Sequence, residues 1–371
     1  MSIESEILNP DLEKFSPVNL FDFEERARCQ ISKMAYDYYA AGANDEITLK
    51  ENRAAFDRIT IYPRMLRDVS NRQLATSALG HPISMPLMIA PMAFQRMAHP
   101  EGEMATMKAA NQAGTIMVLS TLATSSIEEV AEASNGNLWF QLYVYKDKGV
   151  TTSLVQRAEA AGCKALVLTV DSPILGSRER DVRNGFHLPD GLSAKNLAPA
   201  GIEVLPGRIG ESGLAAYIAS LYDQALTWKD VEWLRSITNL PVLVKGVLRA
   251  DDSILAIKHG ASGIIVSNHG GRQLDTAPAT ISVLSRVVEA TEGNIEVFVD
   301  GGIRRGTDIL KALALGAKAV FVGRPVLWGL ADSGADGVGK VLHLLRTEFD
   351  LAMALSGCKT LADVNADLLH P

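Results

Sequence analysis

Cysteine is scarce in this 371-residue chain: Cys29, Cys163 and Cys358 are odd in number and far apart. They form no disulfide framework and no CxxC pair, so a reducing cytoplasm is the expected compartment. Basic charge is also short. Lys plus Arg number 36 against 43 Asp plus Glu, a net charge of −7 and a pI of about 5.6. Nucleic acid and anionic membranes are therefore not expected partners, because phosphate binding needs a basic footprint. No apolar run approaches the roughly 18 residues of a spanning helix. The polar start, MSIESEILNPDLEKFS, lacks the pattern of a secretory signal. The final DLLHP is not an SKL-type peroxisomal address. Seven histidines show no HExxH or other ligand spacing, so no metal site is expected. No GxGxxG turn follows an early strand, which argues against a doubly wound dinucleotide fold.

What the chain does contain is a series of short apolar runs bounded by Gly, Pro or polar residues. These are Leu87 to Ala90, Ile116 to Leu119, Leu138 to Leu142, Ala165 to Val170, Pro241 to Val244, Gly263 to Val266, Ile295 to Val299 and Ala319 to Val322. Continuous V/I/L/F runs of this length suit parallel strands buried on both faces. Amphipathic stretches lie between most of them, including Gly102 to Ala113, Ser126 to Ala133, Thr152 to Ala161, Trp228 to Ile237, Asp251 to His259 and Thr307 to Leu315. Eight alternations predict an α/β fold of the TIM (β/α)8 barrel type. Residues 1–75 read as an N-terminal helical segment packed on a barrel that spans 76–371. A Gly/Pro-rich, charged stretch after strand 4, about 172–211, reads as a mobile lid.

Barrel active sites sit at the C-terminal strand ends. There the chain places Ala90 to Ala93, Ser120, Gln141, Tyr143, Thr169, Asp171, Lys245, Ser267 to Arg272, Asp300 to Arg304, and Gly323 with Arg324. The last two ends, DGGIRRG and VGR, fit a phosphate cradle: glycines admit close backbone approach, a helix N-terminus follows, and Arg304 and Arg324 carry charge. Gly301 and Gly302 would also suit a plain tight turn, and the phosphate could belong to FMN, pyridoxal phosphate or a substrate. His269, beside two glycines and Arg272, is a candidate base that Asp171 could orient. Arg178 and Arg272 could grip a carboxylate through planar forks, although SRERDVR also reads as a solvated charge run. Lys245 is either a Schiff-base nucleophile, as in an aldolase, or a fixed cation beside a flavin.

The segments MAYDYYAAGANDEITLKENRAAFDRI, APMAFQRMAHPEGE, WFQLYVYKDK, LTVDSPILGSRERDVRNGF, IIVSNHGGRQLD and VDGGIRRGTDILKALALGAKAV resemble the FMN-dependent 2-hydroxy acid oxidase and dehydrogenase family. The resemblance runs from about residue 20 to 360, and SNHGGRQLD with DGGIRRGTD is specific to it. It implies that Ala90, Pro91, Met92, Ala93, Ser120, Gln141, Thr169, Lys245, Ser267, Asp300, Gly301, Gly302, Arg304, Gly323 and Arg324 hold FMN. It implies that Tyr38, Tyr143, Arg178 and Arg272 bind a small (S)-2-hydroxy acid, with His269 as base and Asp171 orienting it. O2 would reoxidise the flavin and yield hydrogen peroxide. Almost the whole chain is spent on the barrel and its N-terminal helices, leaving no fused haem domain, so an oxidase is expected over a cytochrome-linked dehydrogenase. Leu122 and Met92 resemble the L-lactate oxidase branch, whereas the plant glycolate oxidase branch carries Trp and a smaller residue there. The alternative for the pair is ordinary packing. Tyr222 is expected over the same pocket. A homotetramer or homo-octamer is implied by the resemblance alone.

Overall fold

The computed structural model describes residues 16–204, 217–218 and 220–370. Eight parallel strands close into a barrel: Leu87–Ile89, Met117–Leu119, Leu138–Leu142, Leu166–Thr169, Val242–Val247, Gly263–Val266, Glu296–Val299 and Ala319–Val322. The eighth pairs with the first through Val320 and Leu87, Phe321 and Met88, and Val322 and Ile89, which removes both sheet edges. Each apolar run of the sequence is one of these strands.

The runs hide an alternation that the barrel makes visible. Leu138, Phe140 and Leu142 pack outward against the helices, whereas Trp139 points inward with Phe298 and Phe321. The three inward rings lie 5.8 to 6.3 Å apart, centroid to centroid. All three are buried. They form a dry floor beneath the strand ends, each worth about 1.5–3 kcal/mol of transfer free energy. The opposite end is closed by a hairpin, Thr76–Ala78 and His81–Ile83, which adds Ala78 and Ile83 to the inner core.

The N-terminal segment is helical over Leu20–Gln30, Lys33–Ala40 and Ile47–Asp57. The helical expectation fails beyond Asp57, and residues 1–15 lie outside the described residues. Thr60–Ile61 instead pairs antiparallel with Leu369–His370, because β-branched residues leading into Pro63 cannot propagate a helix. Some barrel helices begin at side-chain caps. Ser126 accepts from the Glu129 amide while the Glu129 carboxylate returns to the Ser126 amide.

The segment after strand 4 is ordered where it is described. It holds a short helix, Glu179–Arg183, and a 3-10 turn, Lys195–Ala200. Asn196 ties it to the barrel by donating to Ser120 O (3.2 Å) and accepting from Ile127 N (2.7 Å). Phe186 stacks on Tyr38 at 4.3 Å. The remainder of the expected lid, 205–211, lies outside the described residues.

Candidate active site

A cavity opens at the C-terminal strand ends, with about 1100 Å³ of open space including its mouth. Among the residues expected there, Tyr38, Ala90 to Ala93, Ser120, Leu122, Gln141, Tyr143, Thr169, Arg178, Lys245, His269, Arg272, Asp300 to Gly302, Arg304, Gly323 and Arg324 line it. Asp171 and Ser267 are not on the wall but stand behind it. Asp171 Oδ1 is 2.8 Å from His269 Nδ1, and Ser267 Oγ accepts from Lys245 Nζ at 2.9 Å.

Local backbone geometry aims these groups. An extra residue, Gly246, bulges strand 5 between Lys245 and Val247 and turns the lysine toward the cavity. His269 has φ +57°, the left-handed region, followed by Gly270 and Gly271 in the same region. Histidine tolerates this conformation better than most residues, and its amide is held by Ser267 Oγ at 3.1 Å. Gly271 is required by contact: a Cβ there would lie 2.6 Å from Leu49 N.

The His269–Asp171 pair is charged on one side only at neutral pH. Burial pushes the His269 imidazolium below its usual range, Lys245 and Arg178 push the same way, and Asp171 only partly restores it. Burial alone would raise the Asp171 carboxyl, but His269, Lys245 and the Ser172 hydroxyl outweigh it and hold the group low. A neutral imidazole with an ionised partner is the state of a base ready to accept a proton. His269 Nε2 has no protein partner among the described residues.

Two guanidiniums border the same space. Arg272 Nη1 donates to Tyr38 O (2.6 Å), Ala41 O (3.0 Å) and Tyr39 O (3.3 Å), and its Cζ lies 5.0 Å from the Tyr38 ring centre. Arg178 is buried, so the solvated-run alternative fails for it while Glu179 and Arg183 remain exposed. Burial and Arg272 push the Arg178 guanidinium down to about 10, still cationic at neutral pH. Leu122 and Met92 are both buried on the wall, joined by Leu175 and Ile218, which the sequence did not single out. Tyr222 is a correction: it stacks on Tyr143 at 4.7 Å and lines the neighbouring cavity instead.

At the far end, Arg304 and Arg324 have no carboxylate within ion-pair distance among the described residues. Arg324 is held by the carbonyls of Tyr39, Gly270 and Ala41. Burial depresses both guanidiniums, and repulsion from Arg53 on Arg304, and from Arg272 and Arg304 on Arg324, adds to it. At the helix after strand 7 the first amides are already taken, those of Arg304 and Arg305 by Asp308 and that of Gly306 by Glu348, so that helix N-terminus offers its dipole and not free N–H groups.

The family model described as FMN-dependent dehydrogenase matches residues 27–371. The chain belongs to this FMN-dependent family. An L-lactate oxidase from Nostoc sp. (strain PCC 7120 / SAG 25.82 / UTEX 2576) is 57% identical over 359 residues, covering 96% of this chain and 98% of that one. A glycolate oxidase from Spinacia oleracea is 56% identical over 347 residues, 94% of each. A solved mandelate oxidase with (S)-4-hydroxymandelic acid superposes with a TM-score of 0.91 at 44% identity, covering 95% of this chain and 98% of that one.

The cavity fits what an FMN-dependent dehydrogenase must hold. Its polar wall carries Ser120, Gln141, Thr169, Lys245 and Asp300, whose Oδ1 is buried without a partner. Arg304 and Arg324, with no ion-paired carboxylate among the described residues, suit a phosphate. Gly302, at φ +83°, packs directly on the N-terminal helix, where a Cβ would fall 2.0 Å from Asn52 O. Asn52 was missed by sequence reasoning. Its amide exchanges bonds with Asn268 (2.9 and 2.8 Å) and so locks the N-terminal helix to the His269 turn. The pairing spans 216 residues and leaves no local signal.

Proposed function

We propose that this chain oxidises small (S)-2-hydroxy acids, L-lactate to pyruvate foremost, with O2 reduced to hydrogen peroxide. The observation that carries the substrate choice is the apolar wall made by Leu122 and Met92 in the cavity that holds His269. Leucine in place of an indole leaves room for the methyl group at C2 of lactate. A methyl-sized difference is worth about 1–3 kcal/mol, so glycolate turnover accompanies it.

FMN, when bound, supplies the two-electron acceptor that side chains lack. Ser120, Gln141, Thr169, Asp300 and the backbone of Ala90 to Ala93 would hold its ring, with Arg304, Arg324, Gly301, Gly302 and Gly323 at its phosphate. Lys245, fixed between Ser267 Oγ and Asp300 at 3.3 Å, would set positive charge against the ring.

Arg178 and Arg272 grip the substrate carboxylate, and Tyr38 and Tyr143 contribute hydroxyls. Burial raises the pKa of both tyrosines, so each stays protonated and can donate. His269 Nε2 takes a proton from the substrate. Asp171 stabilises the imidazolium so formed and keeps the ring in one tautomer. We also propose a homotetramer or homo-octamer in the cytoplasm, on the strength of the resemblance.

The deciding experiment is anaerobic stopped-flow bleaching of the flavin by L-lactate, glycolate and (S)-mandelate, followed by oxygen. Faster reduction by L-lactate and rapid reoxidation support the proposal. Faster reduction by glycolate moves the chain to the glycolate branch and returns Leu122 and Met92 to packing.

A further inference from the structure

Gln273 follows Arg272 on the loop after strand 6, and its carboxamide spends every hydrogen-bonding site on the stem of the covering segment. Nε2 donates to Asp171 O (3.0 Å) and Ile174 O (3.1 Å). Oε1 accepts from Gly176 N (3.2 Å) and Arg178 Nη2 (3.4 Å). Two donors meet two carbonyls and two acceptor sites meet two N–H groups, so a flipped amide would oppose like with like. The stem has no slack beside it: a Cβ on Gly176 would lie 2.4 Å from Arg272 O and 2.5 Å from Gln273 O. The Arg178 guanidinium also places Nε 3.5 Å from Arg272 O and lies within hydrogen-bonding reach of the Tyr38 hydroxyl. Its hold on the loop after strand 6 is made by residues 272 and 273.

We propose that Gln273 is the positioning residue that sets the Arg178 guanidinium against the substrate carboxylate and holds it in register with Asp171. This rests on the reading of Arg178 as a carboxylate-binding group. Gln273 touches neither substrate nor cofactor in this account; it acts through Arg178.

The test is a double-mutant cycle on the FMN-loaded enzyme with Gln273→Met, which keeps the length and loses the amide, and Arg178→Met. Three readouts are taken: KM for L-lactate, Kd for oxalate from the flavin spectrum, and the saturating rate of anaerobic flavin reduction. Gln273→Met is expected to raise KM and the oxalate Kd about tenfold, while the saturating rate changes less than about threefold and its acid limb stays in place. In the Arg178→Met background it is expected to add less than about twofold. An unchanged KM, or an undiminished effect in that background, overturns the proposal. If Arg178→Met alone leaves KM and oxalate binding unchanged, the carboxylate reading of Arg178 fails first and the positioning role falls with it. Should Gln273→Met not retain FMN, Gln273→Asn, one methylene shorter, is expected to raise KM about three- to fivefold, and an unchanged KM there is equally fatal.

Discussion

The two arginines of the substrate end are chemically identical and mounted in opposite ways. Arg272 grows from the barrel: its guanidinium meets three carbonyls at the C-terminus of helix Lys33–Ala40, and the turn beneath it is locked by the Asn52–Asn268 pair. Arg178 is carried by the segment laid over the barrel, and its bonds to the neighbouring loop are long, at 3.4 and 3.5 Å to residues 273 and 272. The covering segment also buries Asp181, neither of whose oxygens has a partner; burial pushes that carboxyl up while Arg272 and Arg178 pull it down. Arg272 is thus mounted by contacts that start at 2.6 Å, and Arg178 by longer ones to the loop beside it. On the proposed function, the base and one carboxylate-binding arginine belong to the first region and the second arginine to the cover.

The largest effect should come from the barrel side. His269→Ala is expected to slow anaerobic flavin reduction by about 10²–10⁴-fold with FMN retained, since a positioned base contributes that much. Rapid reduction by the variant would remove His269 from the base role. Next, Arg272→Met and Arg178→Met should each lower kcat/KM by about 2–5 kcal/mol, the cost of leaving a buried charge partner unpaired. Their stabilities should part. Arg272→Met strands the Tyr38 carbonyl, since those of Tyr39 and Ala41 keep Arg324, at about 1–3 kcal/mol and lowers Tm, whereas Arg178→Met leaves Tm near that of the parent. Equal Tm losses would break the distinction between the two mounts.

The sign of the pH dependence sharpens it further. Activity needs neutral His269, so the acid limb lies below the usual histidine range, where burial has pushed this imidazole. Asp171 is the group that raises it, so Asp171→Asn should move the acid limb to still lower pH. It should also cut the limiting rate by about 10–100-fold, the worth of one charge-assisted hydrogen bond. A limb that moves upward would mean that Asp171 does not face the titrating group.

The same two regions differed in legibility. The strand ends could be read because strands buried on both faces appear as apolar runs, and whatever polar residue follows a run stands at the mouth of the barrel. Lys245, His269 and Arg304 were placed that way. The cover could not be read, because SRERDVR gives no spacing rule that buries Arg178 and exposes Arg183. Nor could the contacts that bind distant segments, such as Gln273 to Gly176 or Asn52 to Asn268, since each is set by tertiary approach. The hairpin Thr76–Ala78 and His81–Ile83 escaped for a different reason: three-residue strands carry too little pattern to separate from a loop.

Leu122 lies at the junction of the two regions and gives the smallest expected effect. Its backbone belongs to the barrel: its amide donates to Ser120 Oγ at 3.1 Å and its carbonyl accepts from Phe94 N at 3.1 Å. A new side chain there should therefore change the wall without moving the loop. Leu122→Trp is expected to lower kcat/KM for L-lactate relative to glycolate by about tenfold, within the 1–3 kcal/mol that a methyl-sized change commands. Overpacking would cost stability as well, by about 1–3 kcal/mol. That loss falls on both substrates alike, so the ratio and not the absolute rate is the readout. An unchanged ratio would make Leu122 a packing residue and leave the substrate choice to the covering segment, where Leu175 and Ile218 close the same wall.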